Sequence, residues 1–408
     1  MTALHLREAE APTMPRSRWP RHEQDELDAV AAVLGSGRVN SLVHGDQCRA
    51  FEAEFADFCD MPFAISVANG TLALELALRA LEIGPGDEVI VPARSFFATV
   101  ACVVAVGATP VFADIDPVSQ TIDPDSVDRM IGPRTRAVIA VHLGGWPAEM
   151  EALGALCHRR GLLLIEDCAQ AHGAEYRGRR VGGFGDAAAF SFCTDKIIST
   201  GGEGGMLLLA DRAVWARAWA YKDHGKNPAK VFNPVPGNGF RYIHDSFGSN
   251  FRMTEMQAAI GRAQLAKLPA WLARRRANAA TLAEALGDHP LVKIPAVPDH
   301  VGHAFYKFAF LIEPTRLSPG CQASDLLAWL NAAGVPAAGG SCPDMSREFA
   351  FHHAPPRRDG QLSVAAEVGG RSMIVPVDHT FERIDMRRFG ETIGAILSEH
   401  CGALWVRQ

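Results

Sequence analysis

The chain has no CxxC pair, no GxGxxG loop behind its first strand-like segment, no internal repeat, no low-complexity tract and no marked excess of either charge. Each absence removes a class of protein. Nine cysteines scattered singly offer neither a disulfide framework nor a thiolate zinc site, and they fit a reducing, cytoplasmic compartment. His352-His353 lacks a ligand spacing, so no metal is expected. A formal charge of −6 over 408 residues gives no electrostatic footprint for a nucleic acid. The first residues, MTALHLREAEAPTMPRSR, carry charges where a secretion signal needs an apolar stretch. The long uncharged run from Ser95 to Ala113 is interrupted by Gly107 and Pro110, and reads as a buried helix followed by a strand rather than a membrane span. Without a GxGxxG behind the first strand, and with GGFGD arriving late in the chain, a dinucleotide-binding oxidoreductase is disfavoured.

What is present is an alternation. Short apolar runs recur between Ala64 and Ala210 (AISVA, EVIVPA, PVFADI, AVIAVHL, LLLIED, AAAFSF, MLLLA), separated by helix-like segments such as TLALELALRALE and AEMEALGALCHRRG. That order predicts an α/β domain built on a mostly parallel sheet. Continuous apolarity predicts strands covered on both faces, with functional groups at their C-terminal ends. A long helical pattern from Thr254 to about Leu286, with an expected break near Pro269, reads as a connector between lobes, and RRR at 274 to 276 as its solvated face. AFYKFAFLIE, ASDLLAWLNAAG and SMIVPV then suggest a small α+β lobe. The expected division is an N-terminal arm (1–18), a large domain (19–253), a connecting helix (254–286) and a small C-terminal domain (287–408).

Several polar residues fall at the predicted strand ends. LLLIEDCAQAHGA runs an apolar strand into Glu166-Asp167, with Gln170 three residues on; a carboxylate there is costly unless a cation meets it, although a helix-capping Asp is the plain alternative. ISVANGTLALELAL sets Asn69-Gly70-Thr71 between strand and helix, where backbone N–H groups and a hydroxyl can receive a phosphate or simply form a capped turn. SFCTDKIISTGGEGG places Ser191 and Lys196 just beyond AAAFSF. A lysine at such an edge can act as a nucleophile toward carbonyls, or can be an ordinary loop lysine. An anion site, a strand-end acid and an amine on one sheet edge are what pyridoxal phosphate requires.

With ANGTLALELALRAL, GDEVIVPARSFFAT, GATPVFADIDP, IEDCAQAHGAEYRGRRVGGFGDAAAFSF, the K…GEGG segment and GSNFRMTEMQAAIG in place, the chain from about Trp19 onward resembles the DegT/DnrJ-type sugar aminotransferases. The resemblance implies a fold-type I pyridoxal-phosphate (PLP) large domain with a smaller C-terminal α+β domain. It implies that Lys196 carries the cofactor and shuttles the proton, that Asp167 pairs with the pyridine nitrogen, and that Gln170 reaches the ring hydroxyl. Gly70, Thr71 and Ser191 would hold the phosphate. Phe96 would stack on the ring, with Phe97 as the competing choice. Asn250 would reach the cofactor phosphate of a neighbouring subunit, which implies a homodimer with shared sites. Some relatives replace the lysine by histidine and become dehydratases, so Lys196 argues for transamination.

The reaction implied moves an amino group from an amino acid, most often glutamate, to a nucleotide-linked keto sugar of amino sugar or polysaccharide biosynthesis. Candidate substrate contacts are Asn40, Lys222, His224, His303, Tyr306 and His379. The segments RVNSLVHG and VDHT lack the aromatic and the proline that relatives often carry there, which leaves the acceptor open. A cyclitol or other cyclic ketone, or an aminobenzoate-type synthesis, is the near rival; a non-catalytic PLP-binding regulator is the distant one, against which Lys196, Asp167 and Ser191 speak.

Overall fold

The computed structural model describes residues 14–42, 45–233 and 240–399. Most of the expected N-terminal arm (1–13), Val43 and His44 of RVNSLVHG, and residues 400–408 of the expected small domain lie outside the described residues.

The apolar runs become strands β1 (Phe63–Val67), β2 (Glu88–Pro92), β3 (Thr109–Ala113), β4 (Thr135–Val141) and β5 (Leu163–Asp167). A short ribbon, β6 (Glu175–Tyr176) and β7 (Arg179–Arg180), precedes β8 (Ala187–Ser191) and β9 (Gly205–Leu209). Four more strands follow: β10 (Val292–Lys293), β11 (Val301–Gly302), β12 (Phe308–Ile312) and β13 (Arg357–Arg358); β14 (Ser372–Val375) is the last. The large sheet runs β1-β9-β8-β5-β4-β2-β3-β13. All its pairings are parallel except those of β9, which lies antiparallel between β1 and β8.

Both faces are covered, which is why these strands read as unbroken apolar runs. On one face Val89, Val91, Ile139, Ile165 and Ala189 pack with residues of helices α3 (Gly70–Ala80), α4 (Ala98–Ala105) and α7 (Arg212–Lys222). The alternate residues Ile90, Val138 and Leu164 face α5 (Pro124–Met130) and α6 (Met150–Arg160), while Ala188, Phe190 and Leu208 face α2 (Asp46–Phe58) and the first half of α9 (Glu255–Leu286). Helix α1 (Gln24–Ser36) packs on α9, and the short α8 (Pro228–Phe232) touches the first of these cores through Val231.

The start of α9 is fixed by a capping box: the Gln257 N–H donates to Thr254 Oγ1, and the Thr254 N–H to Gln257 Oε1. The expected break at Pro269 does not occur, for the helix is continuous over 32 residues. Proline removes a single N–H, and buried Leu265, Leu268 and Leu272 hold both sides of it against the core. The expectation for RRR is corrected at its centre. Arg275 is buried and donates to the carbonyls of Phe305 at 3.2 Å and Tyr306 at 3.3 Å, because helical spacing turns it inward.

Ala279, Leu282 and Leu286 of α9 then join a separate core with Phe308, Phe310 and Phe389. That core is covered by the antiparallel sheet β10-β12-β14, by α10 (Ala323–Ala332) and by α12 (Arg383–Glu399). Between them the chain returns to the large core, into which Met345 and the α11 (Ser363–Arg371) residues Ala365 and Val368 pack, while β13 pairs with β3. The small lobe is therefore stitched to the large one through α9, through this excursion, through the pairing of β11 with β6, and through the segment Ala304–Tyr306, whose N–H groups reach the Gly145 and Gly144 carbonyls. No helix among the described residues is long and apolar enough to cross a membrane.

Candidate active site

A cavity of about 1010 Å³ opens between the C-terminal edge of the large sheet and the small lobe. Gly70, Thr71, Phe96, Asp167, Gln170, Ser191, Lys196, His303 and Tyr306 all line it. Nine residues spread over more than 230 positions of sequence thus meet in one place.

Asp167 ends β5 and is buried. Its Oδ2 accepts from Thr99 Oγ1 at 2.9 Å and its Oδ1 from the Ala169 N–H at 3.2 Å. Thr99 is in turn bonded to Ser95 Oγ at 3.0 Å. No cation among the described residues forms an ion pair with this carboxylate, and burial drives its pKa upward against the opposing pull of the Ala169 N–H, Thr99 and the more distant Lys196.

The neighbouring Glu166 contrasts with it. Successive strand residues point to opposite faces, and Glu166 faces away from the cavity into a fully satisfied nest. It accepts from the N–H groups of Gly182, Phe184 and Gly185 at 2.7–2.8 Å and from His142 Nε2 at 3.0 Å. His142 Nδ1 accepts from the Ala148 N–H at 3.0 Å, so Nε2 carries the proton and neither nitrogen is left for a metal. Although burial alone would raise Glu166, His142 and the backbone donors hold it below its ordinary value.

Lys196 sits between Asp195 and Tyr306. Its Nζ lies 3.7 Å from Asp195 Oδ1 and 5.0 Å from the centre of the Tyr306 ring. Tyr306 donates its O–H to Asp195 Oδ2, tying the small lobe to the lysine loop. Burial pushes Asp195 up, but Lys196, the Tyr306 hydroxyl and Lys307 outweigh it and hold the carboxyl below its usual range. From the N-terminal side, Trp19 Nε1 donates to the Lys196 carbonyl at 2.8 Å. Gln170 Oε1 accepts from the Gly144 N–H at 2.7 Å, which turns the side-chain amide N–H groups to its other end.

At the opposite wall, α3 starts at Gly70. Asn69 Oδ1 takes the Leu72 N–H at 2.9 Å, while the first N–H groups of the helix have no intrahelical acceptor. A Cβ at residue 70 would lie 2.6 Å from Ser191 Cβ, so glycine is what lets the helix start approach the end of β8. The two candidate rings differ in packing: Phe96 is 66% exposed and lines the cavity, whereas Phe97 packs on the core and on Phe351 at 6.2 Å between ring centres. His303 accepts the Phe305 N–H on Nδ1 at 2.8 Å, and burial lowers its pKa to about 3.

The remaining candidates do not line this cavity. Asn40 bridges to Thr254, His224 donates its N–H to the Ser249 carbonyl, the Phe251 N–H donates to the Lys222 carbonyl, and Asn250 pairs with Asp223. These four gather along one ribbon beside the large domain. His379 stacks flat on Trp271 at 4.1 Å with Trp19 edge-on at 4.9 Å, and burial lowers its pKa to about 4. Sequence reasoning missed Thr99, Asp195, Trp19 and Arg94; only Asp195, beside Lys196, and Thr99, in SFFAT, carried a local signal.

The buried, unpaired carboxylate generates a testable expectation. Asp167 is raised in the native state, so its burden on stability is absent at acid pH, where it is protonated folded and unfolded, and grows as pH rises through its native value. With no small molecule added, Asp167→Asn should melt above wild type at pH 8, with the gap closing toward pH 4. Equal melting temperatures across that range would mean that Asp167 already has its partner.

The DegT/DnrJ/EryC1/StrS aminotransferase family profile matches residues 20–393. The chain is 40% identical over 304 residues to a dTDP-3-amino-3,4,6-trideoxy-alpha-D-glucose transaminase of Streptomyces venezuelae, covering 73% of this chain and 76% of that one. It is also 40% identical over 306 residues to an L-glutamine:2-deoxy-scyllo-inosose aminotransferase of Micromonospora echinospora, covering 72% and 71%. The crystal structure of an aminotransferase from Psychrobacter cryohalolentis superposes with a TM-score of 0.92 at 41% identity, over 95% of this chain and all of that one. With this match over nearly its whole length, the chain belongs to the DegT/DnrJ/EryC1/StrS aminotransferase family.

Proposed function

We propose that this aminotransferase takes its amino group from an amino acid, L-glutamate, and delivers it to a nucleotide-linked keto sugar. The observation that carries the reading is the convergence of Lys196, unpaired Asp167 and the Gly70–Ser191 cradle on one cavity. The family's cofactor is PLP, and the residues fit it: a buried carboxylate without a cation, a lysine, and a helix start left open beside a serine. When bound, PLP supplies the carrier for the amino group and the sink for the electrons left on the substrate carbon.

In this reading Asp167, oriented by Thr99 and the Ala169 N–H, holds a proton on the ring nitrogen. Lys196, whose amine lies at the cavity wall, would hold the cofactor and would serve as the group that moves a proton at the substrate carbon. Asp195, itself held by the Tyr306 hydroxyl, would keep the Lys196 side chain within reach of the reacting atoms. The Gln170 amide meets the ring hydroxyl, Phe96 covers the ring, and Gly70, Thr71 and Ser191 receive the phosphate at the start of α3. The eight described cysteines are all free thiols, which fits action in the cytoplasm.

The ribbon bearing Asn250, Lys222, His224 and Asn40 lies off this cavity, and we assign it to the cavity of a second copy, so that the working form is a homodimer with shared sites. The acceptor is the less constrained half of the reading, since one relative is named for a nucleotide-linked sugar and another, equally similar, for a cyclitol.

Protein loaded with PLP should show an absorption band that L-glutamate converts to that of the pyridoxamine form. A keto sugar nucleotide should restore it, and a cyclitol ketone should not. Lys196→Ala should lose turnover by about 10²–10⁴-fold with its fold intact. Wild-type turnover in that variant would contradict the lysine's role, and restoration by the cyclitol ketone alone would transfer the acceptor to that class.

Shared sites make a second prediction. Inactive Lys196→Ala and Asn250→Ala chains, unfolded and refolded together, should regain about one quarter of wild-type activity, because half the dimers are mixed and each has one intact site. No regain above the unmixed chains would remove Asn250 from the partner's site.

A further inference from the structure

Arg94 has no task in the site described so far. It follows β2, lines the cavity and is 2% exposed. Its Nε donates to Gln120 Oε1 at 3.0 Å, and Nη1 donates to the Ser341 carbonyl at 3.0 Å. A guanidinium carries five N–H groups; one on Nη1 and both on Nη2 find no acceptor among the described residues. No carboxylate among the described residues pairs with it either, and burial, opposed only by the nearby Cys342 thiol, lowers its pKa to about 10, so it stays charged at neutral pH. A buried cation without an anion is strongly unfavourable, and a cavity wall is where a ligand can supply that anion.

Two local features aim the group. Gln120 is buried and holds a left-handed backbone (φ 61°) that a non-glycine residue rarely adopts, secured by its N–H bond to the Asp116 carbonyl at 2.9 Å. That conformation brings its amide oxygen to Nε and fixes the plane of the guanidinium. Across from it, Gly340 (φ 85°) brings side-chain-free backbone close: a Cβ there would lie 3.0 Å from Nη2 and cover it. The fork formed by Nη1 and Nη2 therefore stays open, with the opposite edge of the group anchored.

We propose that Arg94 binds a carboxylate of a reactant through the free N–H groups of Nη1 and Nη2. One N–H on each of two adjacent nitrogens matches the two oxygens of a carboxylate in a bidentate pair. The inference rests on the cavity being the place of amino transfer. Two reactants can bring the carboxylate: the amino acid that gives up its amino group, or an acidic keto sugar of the uronic class.

The test uses PLP-loaded wild type, Arg94→Met and Arg94→Lys. Calorimetric titrations measure glutarate, an unreactive analogue of the donor, and UDP-glucuronic acid with UDP-glucose as its uncharged control. Arg94→Met should weaken one of the two acids by about 10–100-fold, with UDP-glucose unchanged. Loss confined to glutarate assigns the donor's carboxylate, and loss confined to UDP-glucuronic acid assigns the acceptor's. Arg94→Lys, which keeps the charge but not the fork, should fall between; it carries the test alone if Arg94→Met melts well below wild type. Wild-type affinity for both acids in both variants, or no binding of either acid by wild type, would overturn the proposal. A wild type that binds the acids yet shows no spectral response to L-glutamate would instead count against the amino-transfer reading.

Discussion

One buried charge organises this molecule: the Asp167 carboxylate, held at the floor of a cavity without a cation to meet it. Everything that places it there is strand physics. β5 delivers two consecutive acids to its C-terminal end, and the alternation of a strand sends them to opposite faces. Glu166 goes to the protein side, where three backbone N–H groups and the His142 ring satisfy it. Asp167 goes to the cavity side and receives only a hydroxyl and one N–H. The two carboxyls are pushed apart accordingly, one below and one above the ordinary range. The first is an anchor for the 182–185 loop, and the second faces the cavity, where we propose that it meets a protonated ring nitrogen.

The second lobe completes the site rather than merely closing it. α9 runs without a break from the large core to the small one, and its Arg275 holds the carbonyls of Phe305 and Tyr306. Tyr306 then reaches Asp195 beside Lys196. The N-terminal arm makes the same connection from the other side. Ser17 Oγ donates to Asp378 Oδ2 at 2.7 Å, while Trp19, edge-on to His379, holds the Lys196 carbonyl. Lys196 is thus clamped through its backbone and through its neighbour by elements from both ends of the chain, leaving the amine itself at the cavity surface.

Much of this was legible in the order of residues. Unbroken apolar runs located the strands, because burial on both faces leaves no polar position. The residues that end or follow the runs located the cavity wall, because in a parallel sheet those ends share one edge: Thr71 after β1, Phe96 after β2, Asp167 in β5, Ser191 in β8. What stayed hidden depended on distance in sequence. Asp195 and Tyr306 are 111 residues apart, and Arg94 and Ser341 are 247 apart, so no local pattern joins them. Pro269 misled because a proline's local penalty is small beside the packing of a 32-residue helix between two cores. Arg275 misled because a charged triplet looks solvated until one knows which residue of the three turns inward. The different packing of Phe96 and Phe97 was hidden because Phe351, which Phe97 meets, comes from the far end of the chain.

The central claim is that Asp167 keeps a proton on the cofactor's ring nitrogen. The direct measurement is the ¹⁵N chemical shift of ring-labelled PLP bound to wild type and to Asp167→Asn near neutral pH. A protonated-nitrogen shift in wild type that moves to the neutral-pyridine position in Asp167→Asn is the expected result. The same shift in both proteins would contradict the account, because the buried carboxylate would then have some other partner.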